Sequence, residues 1–236
     1  MDLIQALAAE LGKDPRHVEN VVHLLDEGNT IPFIARYRKE LHGAMDDTSL
    51  RTLEERLQYL RGLEERREAV KKSIDEQGKL TDELAAAIDS AKTLAEVEDL
   101  YRPYKQKRRT RATMAKEKGL EPLAALLFAQ ERDCPRLEEA ARDFVDPEKG
   151  VETVEDALQG ASDIIAEQIS DDAAIRKSLR ALISRQGQLV SRAATEDDSV
   201  YRLYYDFTQS VARLQGHQVL AINRGEKEGI LKVSIT

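Results

Sequence analysis

Apolar residues recur at helical spacing from the start of the chain. Leu3, Ile4, Leu7, Ala8 and Leu11 predict a helix that Gly12 stops. Asp14-Pro15 restarts one, with Asp as cap and Pro in the first turn, and Val18, Val21, Val22 and Leu25 form its buried stripe. Thr30-Ile31-Pro32 opens a short element that carries Phe33, Ile34 and Tyr37 on one side. From Thr48 to Gln77 the chain has no Pro and only Gly62 as a breaker. Leu50, Leu53, Leu57 and Leu60 step by three and four, and Leu63, Val70 and Ile74 continue less regularly, which predicts a helix of about 45 Å packed along several others. Thr81, Thr93 with Glu96, and Thr153 cap further helices, and Pro122 and Pro135 open two more. Ile175, Leu179, Leu182 and Ile183 mark another helix, ended by Gly187. The short capped helices between 114 and 187 suggest a helix-turn-helix arrangement.

The tail differs. Tyr201, Tyr204, Tyr205 and Phe207 cluster four aromatic residues in seven positions, and 224–229 read as a turn before a strand at 230–235. A strand after so much helix finds no obvious partner, and an unpaired strand exposes backbone polar groups. The expectation is an N-terminal piece of a longer protein.

Composition agrees with the pattern. The 236 residues are 41% hydrophobic, 34% charged and only 5% aromatic, without Trp, which favours helix over sheet. A single Cys, Cys134, excludes a disulfide framework and a Cys-based zinc finger. No apolar run approaches the roughly 20 residues that span a bilayer, and no signal-peptide pattern opens the chain. A cytoplasmic protein with no membrane partner is expected.

The net charge of −8 argues against a uniformly basic nucleic-acid binder, yet it averages over a contrast. Arg102, Lys105, Lys107, Arg108, Arg109, Arg111, Lys116 and Lys118 face one acid, Glu117, so residues 102–118 carry +7 and the other 219 residues −15. Lys and Arg displace counterions from phosphates, and Tyr101 and Tyr104 at the segment's entrance are of a type that stacks on unpaired bases. Three readings are open: contact with nucleic acid, pairing with acids such as Glu96, Glu98 and Asp99 or with a partner protein, and simple solvation.

These residues also carry a resemblance. Val97-Glu98-Asp99-Leu100-Tyr101-Arg102-Pro103-Tyr104-Lys105, the run Lys107-Arg108-Arg109-Thr110-Arg111-Ala112-Thr113, and Glu117-Lys118-Gly119-Leu120-Glu121-Pro122-Leu123-Ala124 resemble the signature of the bacterial Tex family of transcription accessory proteins. The stretch from Ile31 to Glu40 is similar to the family's early motif, and His217 with Leu220 to Gly229 to the segment leading into its next domain. The resemblance covers essentially the whole chain. Gln106 departs from the Pro often found there, and Leu214-Gln215-Gly216-His217 from Ile-Pro-Ser-His. It implies an N-terminal helical region with a helix-turn-helix-like part. A YqgF-type domain, a helix-hairpin-helix region and a C-terminal RNA-binding OB-fold domain would follow. On this reading residues 1–200 are the helical region and 201–236 the junction and start of the YqgF-type domain.

Other constellations point to structure. His17, His23, His42 and His217 lack metal-ligand spacing; surface or capping roles are expected of them, and of His217 a packing or hydrogen-bonding role at the domain junction. Cys134 reads as a small apolar filler. Asp46-Asp47 and Asp171-Asp172 sit near helix starts, where carboxylates favour the dipole. Arg36, Arg38 and Lys39 beside Tyr37 form either a basic face or a set of ion pairs. The expectation is therefore an all-α multi-helix bundle with one long helix and a terminal strand segment, without catalytic residues, metal or cofactor. Its nucleic-acid contacts, to RNA or DNA, are assigned to Lys105, Lys107, Arg108, Arg109 and Arg111 on phosphates, with Tyr104 as a stacker. The rival is a scaffold that positions downstream domains or contacts proteins of the transcription machinery.

Overall fold

The computed structural model describes residues 3–106, 108–131 and 136–236, so Lys107 and Cys134, and the Pro135 helix start, lie outside the described residues. The chain forms two compact units, 1–101 and 102–236.

In the first unit, α1 (Leu3–Leu11), α2 (Pro15–Asp26) and α3 (Ile31–Tyr37) pack on α4 (Asp47–Asp75), whose 29 residues run unbroken through Gly62. Asp14 and Asp46 cap α2 and α4 through their carboxylates, as their positions before the apolar stripes predict. Leu7, Val18, Val21, Ile34, Leu50 and Leu53 are fully enclosed and make the core of this half. Then α5 (Asp82–Ser90) and α6 (Leu94–Tyr101) pack along α4. The stripe that looked irregular after Leu60 has its missing member in Arg67, which is buried between Leu63 and Val70. Its guanidinium donates to Glu64 at 2.6 Å and to the carbonyl of Ala91 at 2.5 Å, so a charged residue holds an apolar register.

One expectation fails here. His42, expected at the surface or in a cap, is buried, at 1% exposed. On α3, Ile31 and Ile34 are buried, Phe33 is half-buried and Tyr37 is 57% exposed.

In the second unit, α7 (Arg111–Glu117), α8 (Glu121–Ala129) and α9 (Leu137–Arg142) pack on α10 (Val154–Asp171). Small residues permit the approach. Ala157 and Ala161 are fully buried, and a Cβ on Gly160 would stand 2.3 Å from Leu120 Cδ1. Thr153 and Asp156 close a capping box at the start of α10. Asp172 caps the next helix, α11 (Ala173–Gln186).

The all-helical reading holds for most of the chain, and the tail corrects one part of it. The strand at the end does have a partner. A three-stranded antiparallel sheet has β1 (Gln188–Ala193) in the centre, β2 (Asp206–Ser210) on one side and β3 (Leu231–Ile235) on the other. Val190 stands opposite Thr208 and Ser234. Residues 224–227, read as a turn, are the last turn of α12 (Gly216–Lys227). Gly225 is buried there because Leu231 and Tyr201 close on it, at 2.6 and 3.1 Å from where a Cβ would stand. The periodicity missed this because a glycine in a helix is read as a breaker, whereas here it makes room for β3.

Candidate nucleic-acid interface

The cationic segment begins as a single 3-10 turn, Arg102–Tyr104, and ends in α7, whose N-cap is Thr110. Thr110 starts α7 by accepting the amide of Thr113 at 3.1 Å, which fixes where the cations before and after it emerge.

One face of α10 holds this segment. Asp163, Glu167 and Asp171 follow at intervals of four and so line up on the helix. Asp171 accepts from Arg102 Nε at 2.9 Å, Glu167 accepts from the Thr110 hydroxyl at 3.1 Å, and Asp163 lies 3.6 Å from Arg111. These three residues were not among the acids expected to pair. Glu98, which was, takes Arg66 at 2.5 Å instead. The i, i+4, i+8 acids of the 154–171 helix were the signal that could have found them.

The remaining cations divide into two groups. Arg109 bridges to Glu117 at 2.6 Å, Lys116 to Glu121 at 3.4 Å, and Lys118 donates to the carbonyl of Gly150 at 2.7 Å. Lys105 and Arg108 are exposed, and their side chains have no ion-pair partner among the described residues. Arg109 and Arg111 stay 68% and 79% exposed despite their pairs. Exposed pairs of this kind are worth about 0–1 kcal/mol, so a phosphate can take the place of the carboxylate. Tyr104 is half-buried. Tyr101, the other aromatic at the entrance, is committed within the first unit: its hydroxyl lies 3.0 Å from Ser73 Oγ, and Arg66 lies 5.4 Å from its ring centroid.

Lys105 and Lys116 border a cleft of about 740 Å³, which Glu121, Glu167, Asp171 and Asp172 also line. Four carboxylates to two ammonium groups repel a phosphate from the cleft itself. Arg108, Arg109 and Arg111 are exposed. Among the described residues no group of His, Cys, Asp and Glu could hold a metal ion, and no helix is long and apolar enough to cross a membrane.

Such a molecule belongs to the mostly helical proteins that end in a small sheet and present an exposed cationic segment braced on an acidic helix. Two family models narrow this: the Tex-like protein N-terminal domain matches residues 1–75, and the Tex central region-like model matches residues 134–236. The chain is 48% identical over 97% of its length to protein YhgF of Escherichia coli, covering 30% of that protein. It is 42% identical over its full length to transcriptional accessory protein Tex of Neisseria gonorrhoeae, covering 31% of it. It is 31% identical over 99% of its length to the human S1 RNA-binding domain-containing protein 1, covering 24% of it. The chain belongs to the Tex-like family, and it spans about a third or less of the length of these relatives.

Proposed function

We propose that the chain is a non-catalytic nucleic-acid-interacting region of a Tex-like transcription accessory protein. Lys105, Lys107, Arg108, Arg109 and Arg111 contact phosphates of RNA or DNA, and Tyr104 adds a stacking contact. The observation that carries this reading is the pair of exposed cations Lys105 and Arg108, which have no ion-pair partner among the described residues, beside the loosely paired Arg109 and Arg111. Phosphate contact without base readout gives affinity that depends on salt and not on sequence. The names of two relatives, a transcriptional accessory protein and an S1 RNA-binding domain-containing protein, support nucleic acid as the partner class. Two helices joined by Lys118-Gly119-Leu120, with Gly119 at φ +83°, support a helix-turn-helix-like role for α7 and α8.

The test is titration of labelled single- and double-stranded DNA and RNA at two salt concentrations. Replacing the five cations by Gln should weaken binding. The slope of log affinity against log salt should flatten by about 0.7–0.9 for each phosphate no longer neutralised. Unchanged affinity at low salt would sink the assignment.

The acidic face of α10 favours a second reading, a protein-interaction scaffold in which the segment is held intramolecularly. Capture of a transcription protein that survives neutralisation of 105–111 would favour it.

A further inference from the structure

The motif at Arg36–Lys39 belongs to the first unit and is not used by the basic segment. There the Phe33 and Tyr37 ring centroids are 5.3 Å apart, with planes inclined by 48°. Arg38 lies 5.5 Å from the Phe33 centroid and Arg36 lies 6.0 Å from that of Tyr37, both within cation–π range. Phe33 is half-buried, while Tyr37 stands out from the surface with more than half its area open.

The charges around these rings are also unusual for the unit. On α4, Arg51, Arg56, Arg61, Arg66 and Arg67 each hold a carboxylate. Arg36, Arg38 and Lys39 are exposed and have no ion-pair partner among the described residues, although Glu40 follows directly. An exposed ring backed by a second ring costs apolar contact with water, and three unpaired cations within four residues repel one another. Both costs are relieved by one kind of ligand: a flat ring carrying a phosphate on either side.

We infer that Tyr37, braced by Phe33, is a stacking platform for an unpaired base of single-stranded nucleic acid, with Arg36, Arg38 and Lys39 on the flanking phosphates. A duplex keeps its bases stacked on one another and offers the ring nothing, so the platform selects single strands. The platform uses none of the residues of the basic segment and stands without it.

The experiment uses the whole chain, a short labelled oligothymidylate, and an abasic strand of the same length. Tyr37→Ala should weaken binding of oligothymidylate about 5- to 150-fold, the range of one base–aromatic stack. Tyr37→Phe should restore it, and the abasic strand should bind wild type and Tyr37→Ala alike. Tyr37 is exposed, and an unchanged circular-dichroism melt will verify that the variants are folded. Equal binding of oligothymidylate by wild type and Tyr37→Ala, or an equal loss on the abasic strand, overturns the platform. The five-cation variant run beside them separates the two sites: if only the platform is absent, that variant alone loses affinity, and if only the basic segment is inert, Tyr37→Ala alone does.

Discussion

Arg102 donates from Nε to Asp171 Oδ1 at 2.9 Å across 69 residues of sequence, and so ties the start of the cationic segment to the end of α10. The Asp171 side chain is 12% exposed and the Arg102 side chain 45%. Asp171→Asn removes the negative charge of the acceptor, keeps an amide oxygen that can still accept from Arg102, and leaves Arg102 able to reach water. A loss of about 1 kcal/mol is expected, read as a lower urea midpoint with an unchanged slope. A larger loss with a changed slope would mean that the pair holds the unit together and does not merely anchor the segment.

Glu117 is the one acid in the cationic segment, and it occupies Arg109 at 2.6 Å. Glu117→Gln releases a cation at the surface. On the proposed function its affinity for nucleic acid should rise several-fold at low salt, with the salt dependence steeper by about 0.7–0.9. The same substitution should change stability by less than about 1 kcal/mol, because the pair is exposed. Fluorescence anisotropy at two salt concentrations measures the first, and thermal unfolding the second. No gain in affinity counts against phosphate contact by Arg109.

Gly225 tests the packing of α12 on β3. Alanine at an ordinary helical site gains up to about 1 kcal/mol over glycine. Here its Cβ meets Leu231 Cδ1 at 2.6 Å and Tyr201 Cγ at 3.1 Å, and both neighbours are buried. Gly225→Ala should therefore destabilise by about 1–3 kcal/mol. Combining it with Leu231→Val should recover part of that loss relative to Leu231→Val alone, which a double-mutant cycle in urea will measure.

Acid should loosen the first unit through two guanidinium clamps. Arg61 donates to both oxygens of Asp26 at 2.7 and 2.8 Å, and Arg56 to both of Glu10 at 2.8 and 3.0 Å. These hydrogen bonds, with the guanidinium charge adding, hold the carboxyls below their ordinary values of 3.8 and 4.5. A carboxyl whose folded pKa is depressed stabilises the fold above its unfolded pKa, and that contribution fades as pH falls toward the folded one. The window thus opens near 4.5 and 3.8 and extends downward. All four side chains are more than a third exposed, so each clamp is worth about 0–1 kcal/mol after solvent screening. Arg56→Gln with Arg61→Gln should lose less stability than wild type between neutral pH and about pH 3. Parallel losses in urea titrations at the two pH values would refute the clamps as the cause.

The sequence by itself determined most of the helical elements up to residue 186, but not α12, whose last turn reads as a loop turn. The Asp and Thr caps at 14, 46, 81, 153 and 172 and the leucine steps of α4 are local signals, because capping and amphipathic spacing act within one or two turns. The cationic run 102–118 was legible as composition. Where it is held was not: its counter-charges at 163, 167 and 171 lie some fifty to seventy residues away, and spacing along one helix does not name the segment that will cross it. The sheet was hidden for the same reason. β1 pairs with residues that follow it by up to 48 positions, so its hydrogen bonds are a property of the assembled chain. Arg67, His42 and Gly225 each depart from local preference, a charge and an imidazole inside and a glycine within a helix. Only tertiary packing decided them, because the space and the partners each one meets are built by other elements.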